Sequence, residues 1–324
     1  MSSIGLKRFC IKTLMNNKIP YPKGRGSSVN PLNRFDKIEF EPTEEEIAEG
    51  ISPQTTFFRD NAKSLITYND SPDVGFNAGI NPYRGCEHGC VYCYARPSNE
   101  FLGLSLGLDF ETKIFVKEKA PGILRKELSR KSYKPETIAV SGNTDCYQPA
   151  EKRFGLTRAC LEVLLEFRNP AAIITKNRLV TRDLDLLREF ARWNGIMVAV
   201  TITTLDPDLR RLMEPRTSSP AMRLRIIEEL SAAGIPTIVM VAPVIPGLTE
   251  HEIPKIIESA SDAGASGAGY IMLRLPYGVS DIFVAWLGRH YPDRKEKVLN
   301  RIMSVRDGKL NSAEFHDRMQ GRGV

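Results

Sequence analysis

Three cysteines lie within eight residues of the stretch Asn81-Pro82-Tyr83-Arg84-Gly85-Cys86-Glu87-His88-Gly89-Cys90-Val91-Tyr92-Cys93-Tyr94. Their C-x3-C-x2-C spacing puts three thiols on one loop, where they are able to ligate a metal centre but cannot all pair as disulfides. A glycine precedes each of the first two cysteines, and glycine alone tolerates positive φ freely, so the backbone can wrap closely around a centre. The stretch predicts a metal-binding loop.

Zinc and an iron–sulfur cluster make different demands on such a loop. A structural zinc site takes four protein ligands, commonly as two separated pairs. His88 is the only nearby fourth ligand, and no second Cys or His pair follows at zinc-finger distance. In a 4Fe–4S cluster, three cysteines leave one iron open to a substrate or cofactor. The residues favour the cluster, with zinc or an unmetallated thiol loop as alternatives.

The loop resembles the signature of the radical S-adenosylmethionine (SAM) superfamily, in which an aromatic residue, here Tyr92, precedes the third cysteine. The following Tyr94-Ala95-Arg96-Pro97 is similar to the spore photoproduct lyase-like (DNA repair photolyase-like) branch. Further short matches occur in order along roughly residues 20–320. They are Thr144-Asp145, Thr175-Lys176, Leu205-Asp206, Glu214-Pro215-Arg216, Ala242–Gly247 and Leu273–Pro276.

Six short apolar runs alternate with amphipathic helical patterns from about residue 78 onward, as expected of strands buried on both faces. The first leads through Ile80 into the cysteine loop. The other five are Thr137–Val140, Ala172–Thr175, Met197–Ile202, Thr237–Val241 and Gly269–Leu273. Successive βα units predict an α/β fold with a parallel sheet and right-handed crossovers. The resemblance makes this sheet a partial (β/α)6 TIM-like barrel of the radical SAM type, with active residues at the C-terminal ends of the strands.

The resemblance also implies the chemistry. In the superfamily the open iron binds SAM, and one electron from the 4Fe–4S cluster cleaves SAM to a 5′-deoxyadenosyl radical that abstracts a hydrogen atom from substrate. The implied cluster ligands are Cys86, Cys90 and Cys93, and Tyr92 is expected near the adenine. A lyase-like radical SAM enzyme with a flavodoxin- or ferredoxin-like electron donor is therefore expected. Its substrate is unidentified, and nucleic acid is a candidate. The alternative is a non-catalytic zinc- or cluster-binding barrel that acts as a partner-binding module.

Further cofactor contacts are expected where the second, third and fourth strands end. The superfamily contacts the methionine amino group after the second strand, although an ordinary strand-to-helix turn is the alternative here. That turn contains Ser141, Gly142, Asn143, Thr144 and Asp145. Lys176 ends the third strand, where an ammonium can hold a carboxylate or phosphate. Thr201 and Thr203 share one side of the fourth strand and match cofactor-contacting positions of this branch.

Two residues near the cysteine loop are candidates for steps beyond cofactor binding. Tyr94 matches the second of two tyrosines that flank the third cysteine in spore photoproduct lyase. That enzyme class uses a cysteine hydrogen donor near the end of the second strand, but Gly142 stands at the equivalent position. Cys146, four residues later, is a hypothetical donor that would face the cavity. Cys160 shares a helical face with leucines and is expected in the core.

Two arginines complete the set of candidate catalytic residues. Arg216 and Arg274 are each able to clamp an anionic group with two hydrogen bonds. The alternative is a structural ion pair with a carboxylate such as Glu214 or Asp281.

Charge is unevenly distributed along the chain. Residues 1–35 contain seven Lys or Arg and no acid, residues 287–324 carry +4, and residues 36–286 carry −5 of the overall +6. The basic ends are expected to be solvated arms rather than binding surfaces, although they would attract a polyanion. The acidic segment 36–49 is able to pair with the basic start of the chain. The sequence divides into an N-terminal extension (1–70), a radical SAM core (71–290) and a helical C-terminal extension (291–324).

Cysteine usage and hydropathy bear on localisation. No run of about eighteen apolar residues is present, so no membrane span is expected. The first twenty residues lack the apolar segment of a secretory signal. Six cysteines, three of them in one loop, suit a reducing compartment. We expect a cytoplasmic monomer.

Overall fold

The computed structural model describes residues 23–28, 30, 31, 33–35, 54–69, 76–306 and 308–311. The acidic segment 36–49, expected to pair with the basic start of the chain, lies outside these residues. The strands are β1 (Thr56–Arg59), β2 (Ile66–Tyr68), β3 (Ala78–Ile80), β4 (Tyr83–Arg84), β5 (Lys113–Val116), β6 (Ile138–Val140), β7 (Ala171–Thr175), β8 (Ile196–Thr201), β9 (Thr237–Val244) and β10 (Gly267–Met272).

Helices follow the strands of the main sheet, as the βα pattern predicts. They are α1 (Leu108–Thr112), α2 (Ala120–Leu128), α3 (Pro149–Phe154), α4 (Leu156–Glu166), α5 (Leu184–Ala191), α6 (Pro207–Met213), α7 (Pro220–Ala232), α8 (Ile253–Asp262), α9 (Val279–His290) and α10 (Lys295–Ser304). In the described part of the chain, none of these helices is long and apolar enough to cross a membrane.

The main sheet has seven strands in the order β2-β3-β6-β7-β8-β9-β10. Six of these strands pair in parallel, namely β3, β6, β7, β8, β9 and β10. Within this sheet only β2 runs antiparallel to its neighbour, β3. These six are the six predicted strands, so the α/β class with a parallel (β/α)6 partial barrel is confirmed. Because the C-terminal ends of parallel strands meet at one edge, the loops after β3, β6, β7 and β8 converge there.

The edge strand β10 differs from the prediction of burial on both faces. Tyr270 is 69% exposed and Ile271 is 41% exposed. The reason is topological: among the described residues β10 pairs only with β9, so it is an edge of an incompletely closed barrel. Strands buried on both faces read as continuous apolar runs, but an apolar run does not reveal whether a neighbour covers it.

Helix α7 shows how local sequence and distant partners combine. The Ser219 hydroxyl caps its first turn by accepting from Met222 N at 3.3 Å, and Gly234, with φ of +74°, follows its end. Met222 lies on the same helical face as the fully buried Ile226 and Leu230 but is itself only half-buried. Arg223 is fully buried instead, because its guanidinium pairs with Glu214. The apolar periodicity of a helix cannot predict the burial of a charged residue whose partner lies outside the helix.

Parts of both terminal regions pack onto the barrel. Within the expected extension 1–70, β1 pairs in parallel with β5 of a small sheet ordered β1-β5-β4. Arg25 and Ser27 are buried, which contradicts the expectation of a solvated arm at these positions. At the other end, Val298 of α10 packs in the apolar cluster that also contains α9. The three-part division of the chain stays a prediction.

Candidate active site

The cysteine loop follows β3 directly and therefore lies at the C-terminal edge of the parallel strands. Gly85 and Gly89 have φ of +74° and +67°. A Cβ at Gly85 would lie 2.9 Å from the Lys113 carbonyl oxygen, and one at Gly89 would lie 2.7 Å from the Glu111 carboxylate. Both positions need glycine for conformation and for space, as the sequence indicated for a tightly wrapped loop.

Neighbouring side chains and backbone groups hold the loop in place. Cys86 N donates to the Phe110 carbonyl at 2.8 Å. The Gln148 side chain accepts from Glu87 N at 2.9 Å and donates to the Gly85 carbonyl at 3.1 Å. Because both ends of this amide are engaged, Gln148 holds the backbone on both sides of Cys86.

The three loop cysteines are free thiols at the site. Cys86 and Cys90 are buried and Cys93 is half-buried. Burial is the main cause that raises the pKa of each thiol above its ordinary value. A metal centre requires thiolates, so binding one at this loop must release protons. Three soft thiolate donors on one wrapped loop are the donor set of an iron–sulfur cluster.

His88, the one nearby fourth ligand for zinc, is engaged elsewhere. Its Nε2 lies 3.0 Å from Nδ2 of Asn177, whose own Oδ1 accepts from Leu179 N at 3.0 Å. That second bond fixes the amide orientation, so Asn177 donates and Nε2 accepts. The other ring nitrogen, Nδ1, lies 3.4 Å from a carboxylate oxygen of Asp145. Both nitrogens of His88 therefore face protein partners.

Single-ion coordination and cluster coordination differ in geometry. Across residues 23–311, taken without the gaps named above, no group of three His, Cys, Asp or Glu side chains is arranged to hold one metal ion. A 4Fe–4S cluster makes a different demand, because each thiolate ligates its own iron. The donor types at the loop thus fit a cluster.

A buried carboxylate, Glu214, lies beneath the edge where β7 and β8 end. It is bound by Arg223, by Lys176 Nζ at 3.3 Å, by Thr203 Oγ1 at 2.7 Å and by the Tyr92 hydroxyl. Burial alone would raise the pKa of Glu214, but the charges of Arg223 and Lys176 and the hydrogen bonds outweigh it and hold the pKa far below its usual value. Glu214 is therefore ionised at neutral pH.

Lys176 lies where the sequence placed it, directly after β7. Its Nζ contacts Glu214, Thr203 Oγ1 at 3.3 Å and the Ala242 carbonyl at 3.0 Å, and the side chain is 16% exposed. Lys176 and Arg223 together provide two positive charges against the single negative charge of Glu214. This group therefore carries a net charge of +1 at the edge of the site, which suits an anionic ligand.

The turn after β6 joins the cysteine loop at two points. Asn81, the first residue of the loop, accepts through Oδ1 from Asn143 N at 2.9 Å and Thr144 N at 3.2 Å. The Tyr94 hydroxyl donates to the Gly142 carbonyl. Ser141 adopts a φ of +111°, which is unusual for a residue with a side chain. The turn thus forms one wall of the site, with Ser141 and Gly142 half-buried and Asn143 exposed.

Asp145, a predicted cofactor contact, is occupied by protein donors. It accepts from Tyr147 N at 2.9 Å, from Thr175 Oγ1 at 2.8 Å and from Lys176 N at 2.8 Å, besides the contact with His88. A carboxylate has about four acceptor positions. Asp145 therefore connects the cysteine loop to the end of β7 and has little remaining capacity for a ligand.

The remaining predicted residues are distributed as follows. Thr201 and Thr203 are both buried at the end of β8, and Thr203 belongs to the Glu214 network. Arg216 pairs with Glu87 at 3.2 Å rather than with Glu214 or Asp281. Arg274 follows β10, and its charge acts on the Tyr94 phenol. The structure brings all of these residues to the same edge as the cysteine loop.

The two other described cysteines lie in the core. Cys160 is fully buried on α4, as the sequence predicts. Cys146 is also fully buried, within the same apolar cluster, instead of being exposed to the open edge of the sheet. Its backbone follows the turn after β6, and the chain there points the thiol into the interior. The hypothesis that Cys146 faces the cavity as a hydrogen donor gains no support from this position.

Sequence reasoning missed the residues that fix the loop from outside it. Arg223 and Glu214 form the central buried pair, and Arg96 and Glu111 form a second, at 2.5 Å. Buried charges are rare unless they are paired. Glu214 and Arg96 stood within the matched motifs, so the signal was present, but their partners had no pattern that could have identified them.

The chain is similar to known proteins over a region that includes the cysteine loop. The family model described as the radical SAM superfamily matches residues 80–260. An uncharacterized protein of Mycobacterium tuberculosis is 40% identical over 220 residues, which cover 67% of this chain and 65% of that protein, so the chain spans about two thirds of its length. An uncharacterized protein of Methanocaldococcus jannaschii is 33% identical over 241 residues, covering 74% of this chain and 86% of that one.

Solved structures give the same fold. Spore photoproduct lyase complexed with dinucleoside spore photoproduct superposes with a TM-score of 0.55 at 17% identity, covering 79% of this chain and 72% of that chain. At this identity the likeness concerns the fold alone. The family match extends over more than half of the sequence and includes the cysteine loop. The chain belongs to the radical SAM superfamily.

Proposed function

We propose that this radical SAM enzyme holds a 4Fe–4S cluster with Cys86, Cys90 and Cys93 and binds SAM across the ends of β6, β7 and β8. When bound, the two groups supply one-electron cleavage of SAM and a radical that abstracts hydrogen from substrate. One observation carries the proposal. His88 is hydrogen-bonded through one ring nitrogen and faces Asp145 with the other, so Cys86, Cys90 and Cys93 would be the only loop side chains left to hold a centre, and one position on it would be open to SAM.

Lys176 and the turn after β6 are the proposed holders of the amino-acid end of SAM. The net charge of +1 shared by Lys176, Arg223 and Glu214 would attract the carboxylate. The partly accessible Ser141, Gly142 and Asn143 carry carbonyl and side-chain oxygens, which are acceptors for an amino group. Asp145 and Thr203 are proposed to position Lys176 rather than to contact SAM, since both are hydrogen-bonded to Lys176.

Tyr92 contributes its ring rather than its hydroxyl. The hydroxyl is already bound to Glu214 and lies 3.2 Å from Thr203 Oγ1. Lys176 Nζ lies 5.8 Å from the ring centroid. An aromatic face next to a cation is a suitable contact for a planar adenine, whereas a buried, bonded phenol is unsuitable as a proton carrier.

The competing function is a zinc- or cluster-binding barrel without turnover. Metal and sulfide analysis of protein reconstituted without oxygen separates the two. The proposal requires about four iron and four sulfide ions per chain. A single zinc ion and no sulfide would favour the partner-binding module.

For the substrate class, we propose a nucleic acid. The basic start of the chain supports it, since residues 1–35 carry a net charge of +7. A structural neighbour was solved with a dinucleoside photoproduct, and that observation belongs to the neighbour. Fluorescence anisotropy with labelled oligonucleotides tests the idea: binding should weaken steeply with salt and on removal of residues 1–20. Absence of binding at low salt would exclude this substrate class.

The remaining assignments are proposals of the same kind. Enzymes of this superfamily need a reductant, and we propose a flavodoxin- or ferredoxin-like donor. We also propose a cytoplasmic monomer with an N-terminal extension (1–70), a core (71–290) and a C-terminal extension (291–324). Arg216, Arg274 and Tyr94 are the proposed substrate-side residues, because they lie at the same edge as the cysteine loop.

A further inference from the structure

A short N-terminal segment lies directly against the cysteine loop. This segment, Arg25–Ser27, is called the strap here. Arg25 is 5% exposed and Ser27 is fully buried. At Gly26 a Cβ would lie 1.6 Å from the carbonyl oxygen of Gly89, a loop residue. The two backbones are thus so close that no side chain can stand between them.

The carboxylate of Glu111 joins the strap to the protein. Gly26 N donates to its Oε2 at 2.9 Å, and Ser27 N donates to its Oε1 at 2.8 Å. Arg96 donates to Oε1 at 2.5 Å. Glu111 is fully buried, so its charge is balanced by these donors in place of water.

The same network reaches the carbonyl of the second cysteine. Arg96 Nε donates to the Cys90 carbonyl at 3.0 Å, and its NH1 donates to the carbonyls of Leu106 and Gly107. Arg96 is itself fully buried. A continuous series of hydrogen bonds therefore runs from the strap through Glu111 and Arg96 to Cys90.

Arg25 ties the strap to the other end of the loop. It donates to the Glu111 carbonyl at 2.9 Å and to Thr55 Oγ1 at 3.2 Å. Thr55 in turn donates to the carboxylate of Glu87, the residue after Cys86, at 2.7 Å. Two separate series of hydrogen bonds thus connect the strap to the loop. One reaches the Cys90 carbonyl, and the other reaches Glu87, next to Cys86.

We propose that the strap and Glu111 are positioning elements, which hold the cysteine loop in its ligand-ready conformation before the metal binds and shield it afterwards. The inference rests on the proposed function in naming the loop as the cluster site. Its physical basis is independent of the cluster: a loop held by buried charge-assisted bonds opens rarely, so its thiols are seldom accessible to reagents. A ligand set fixed in advance also binds its centre without the cost of ordering the loop.

Two substitutions in the full-length chain test the proposal. Gly26→Ala introduces a methyl group where the Gly89 carbonyl stands, and Glu111→Gln replaces an acceptor oxygen by a donor facing N–H groups. Gly122→Ala is the matched glycine control, since nothing lies within 4 Å of its Cβ position. Glu118→Gln is the matched carboxylate control, because Glu118 forms an exposed pair with Arg59.

The first measurement uses cluster-free protein. The rate at which iodoacetamide alkylates the three loop cysteines is followed by mass spectrometry, and thermal melting verifies the fold. Both strap variants should react about tenfold faster or more than the wild type, and both controls at the wild-type rate. The second measurement is the lifetime of the reconstituted cluster in air, followed by its visible absorbance, which should shorten in the strap variants.

Alkylation rates and cluster lifetimes decide the proposal. If the folded strap variants alkylate at the wild-type rate and keep their cluster as long, the strap does not position the loop. If Glu111→Gln fails to fold, Gly26→Ala alone decides. If the wild type assembles no cluster, the proposed function fails, but the alkylation rates still decide whether the strap holds the loop.

Discussion

The side-chain amide of Asn177 donates to Nε2 of His88 across 3.0 Å, and Leu179 N fixes the orientation of that amide. This network assigns the ring proton of His88 to Nδ1, which faces Asp145 at 3.4 Å. Burial is the largest cause that lowers the pKa of His88, so the ring is neutral in the folded protein. A histidine between two cysteines is thus a connector between the loop and the end of β7.

His88→Gln should therefore leave the metal content unchanged. A glutamine oxygen is able to accept from Asn177, and no ligand is lost. Cys86→Ser, by contrast, should abolish cluster assembly, because it removes one of three thiolates. Iron and sulfide analysis of anaerobically reconstituted protein checks both. A folded His88→Gln protein that holds no iron would contradict this account.

Glu214→Gln should destabilise the fold by about 3–5 kcal/mol at pH 7, since it leaves the buried Arg223 and the adjoining Lys176 without their counter-charge. The native pKa of Glu214 is depressed below its usual value of 4.5, so its contribution is complete above that pH and is lost as the pH falls below it. Urea unfolding should show a larger difference from the wild type at pH 7 than at pH 3.5.

The control for this prediction is Glu166→Gln. Glu166 pairs with Arg125 at 2.7 Å on the surface, where solvent screens the interaction. Its substitution should change the unfolding midpoint little at either pH. A Glu214→Gln difference that grows toward acid pH would mean that the carboxylate is not ionised in the native state.

Lys176→Met should weaken SAM binding by about tenfold, because its Nζ already donates to three protein acceptors and acts on the ligand through its positive charge. The substitution also leaves the Glu214, Arg223 and Thr203 group without its net positive charge. Equilibrium dialysis with the reconstituted protein measures the affinity. Lys255→Met is the control, because Lys255 pairs with Glu258 on the exposed face of α8. Equal affinity in the wild type and Lys176→Met would exclude the assigned role.

Cys146→Ala should leave the rate of 5′-deoxyadenosine formation and the cluster content unchanged, because the thiol is fully buried in the core. Comparison of 5′-deoxyadenosine formation in the variant and the wild type, at equal iron content, measures this. Loss of 5′-deoxyadenosine formation in a folded variant that keeps its cluster would contradict the placement of Cys146 away from the reacting groups. Cys160→Ala, another buried core thiol, serves as the matched control.

The main sheet could be predicted from the sequence because its information is local. Each predicted strand is an apolar run, and helix α7 is bounded by a capping Ser219 and by Gly234. The exposure of β10 could not be predicted, since it depends on which strand ends the sheet. Residues such as Tyr270 look equally apolar in a central strand and in an edge strand.

The residues of the candidate site also fall into those that local sequence marks and those that only distant contacts define. The three cysteines, Lys176 and Thr203 were visible because spacing and strand position mark them. The buried pairs of Glu214 with Arg223 and of Glu111 with Arg96 depend on contacts between distant elements, and a charged residue in sequence is by default a solvated one. The burial of the strap could not be predicted for the same reason, and the sequence predicted a solvated basic arm there.

The most direct test of the central claim is 5′-deoxyadenosine formation by anaerobically reconstituted protein given dithionite and SAM. The account predicts production by the wild type and by Cys160→Ala, and none by Cys86→Ala, Cys90→Ala or Cys93→Ala. A colourless wild-type protein that contains one zinc ion and forms no 5′-deoxyadenosine would contradict it.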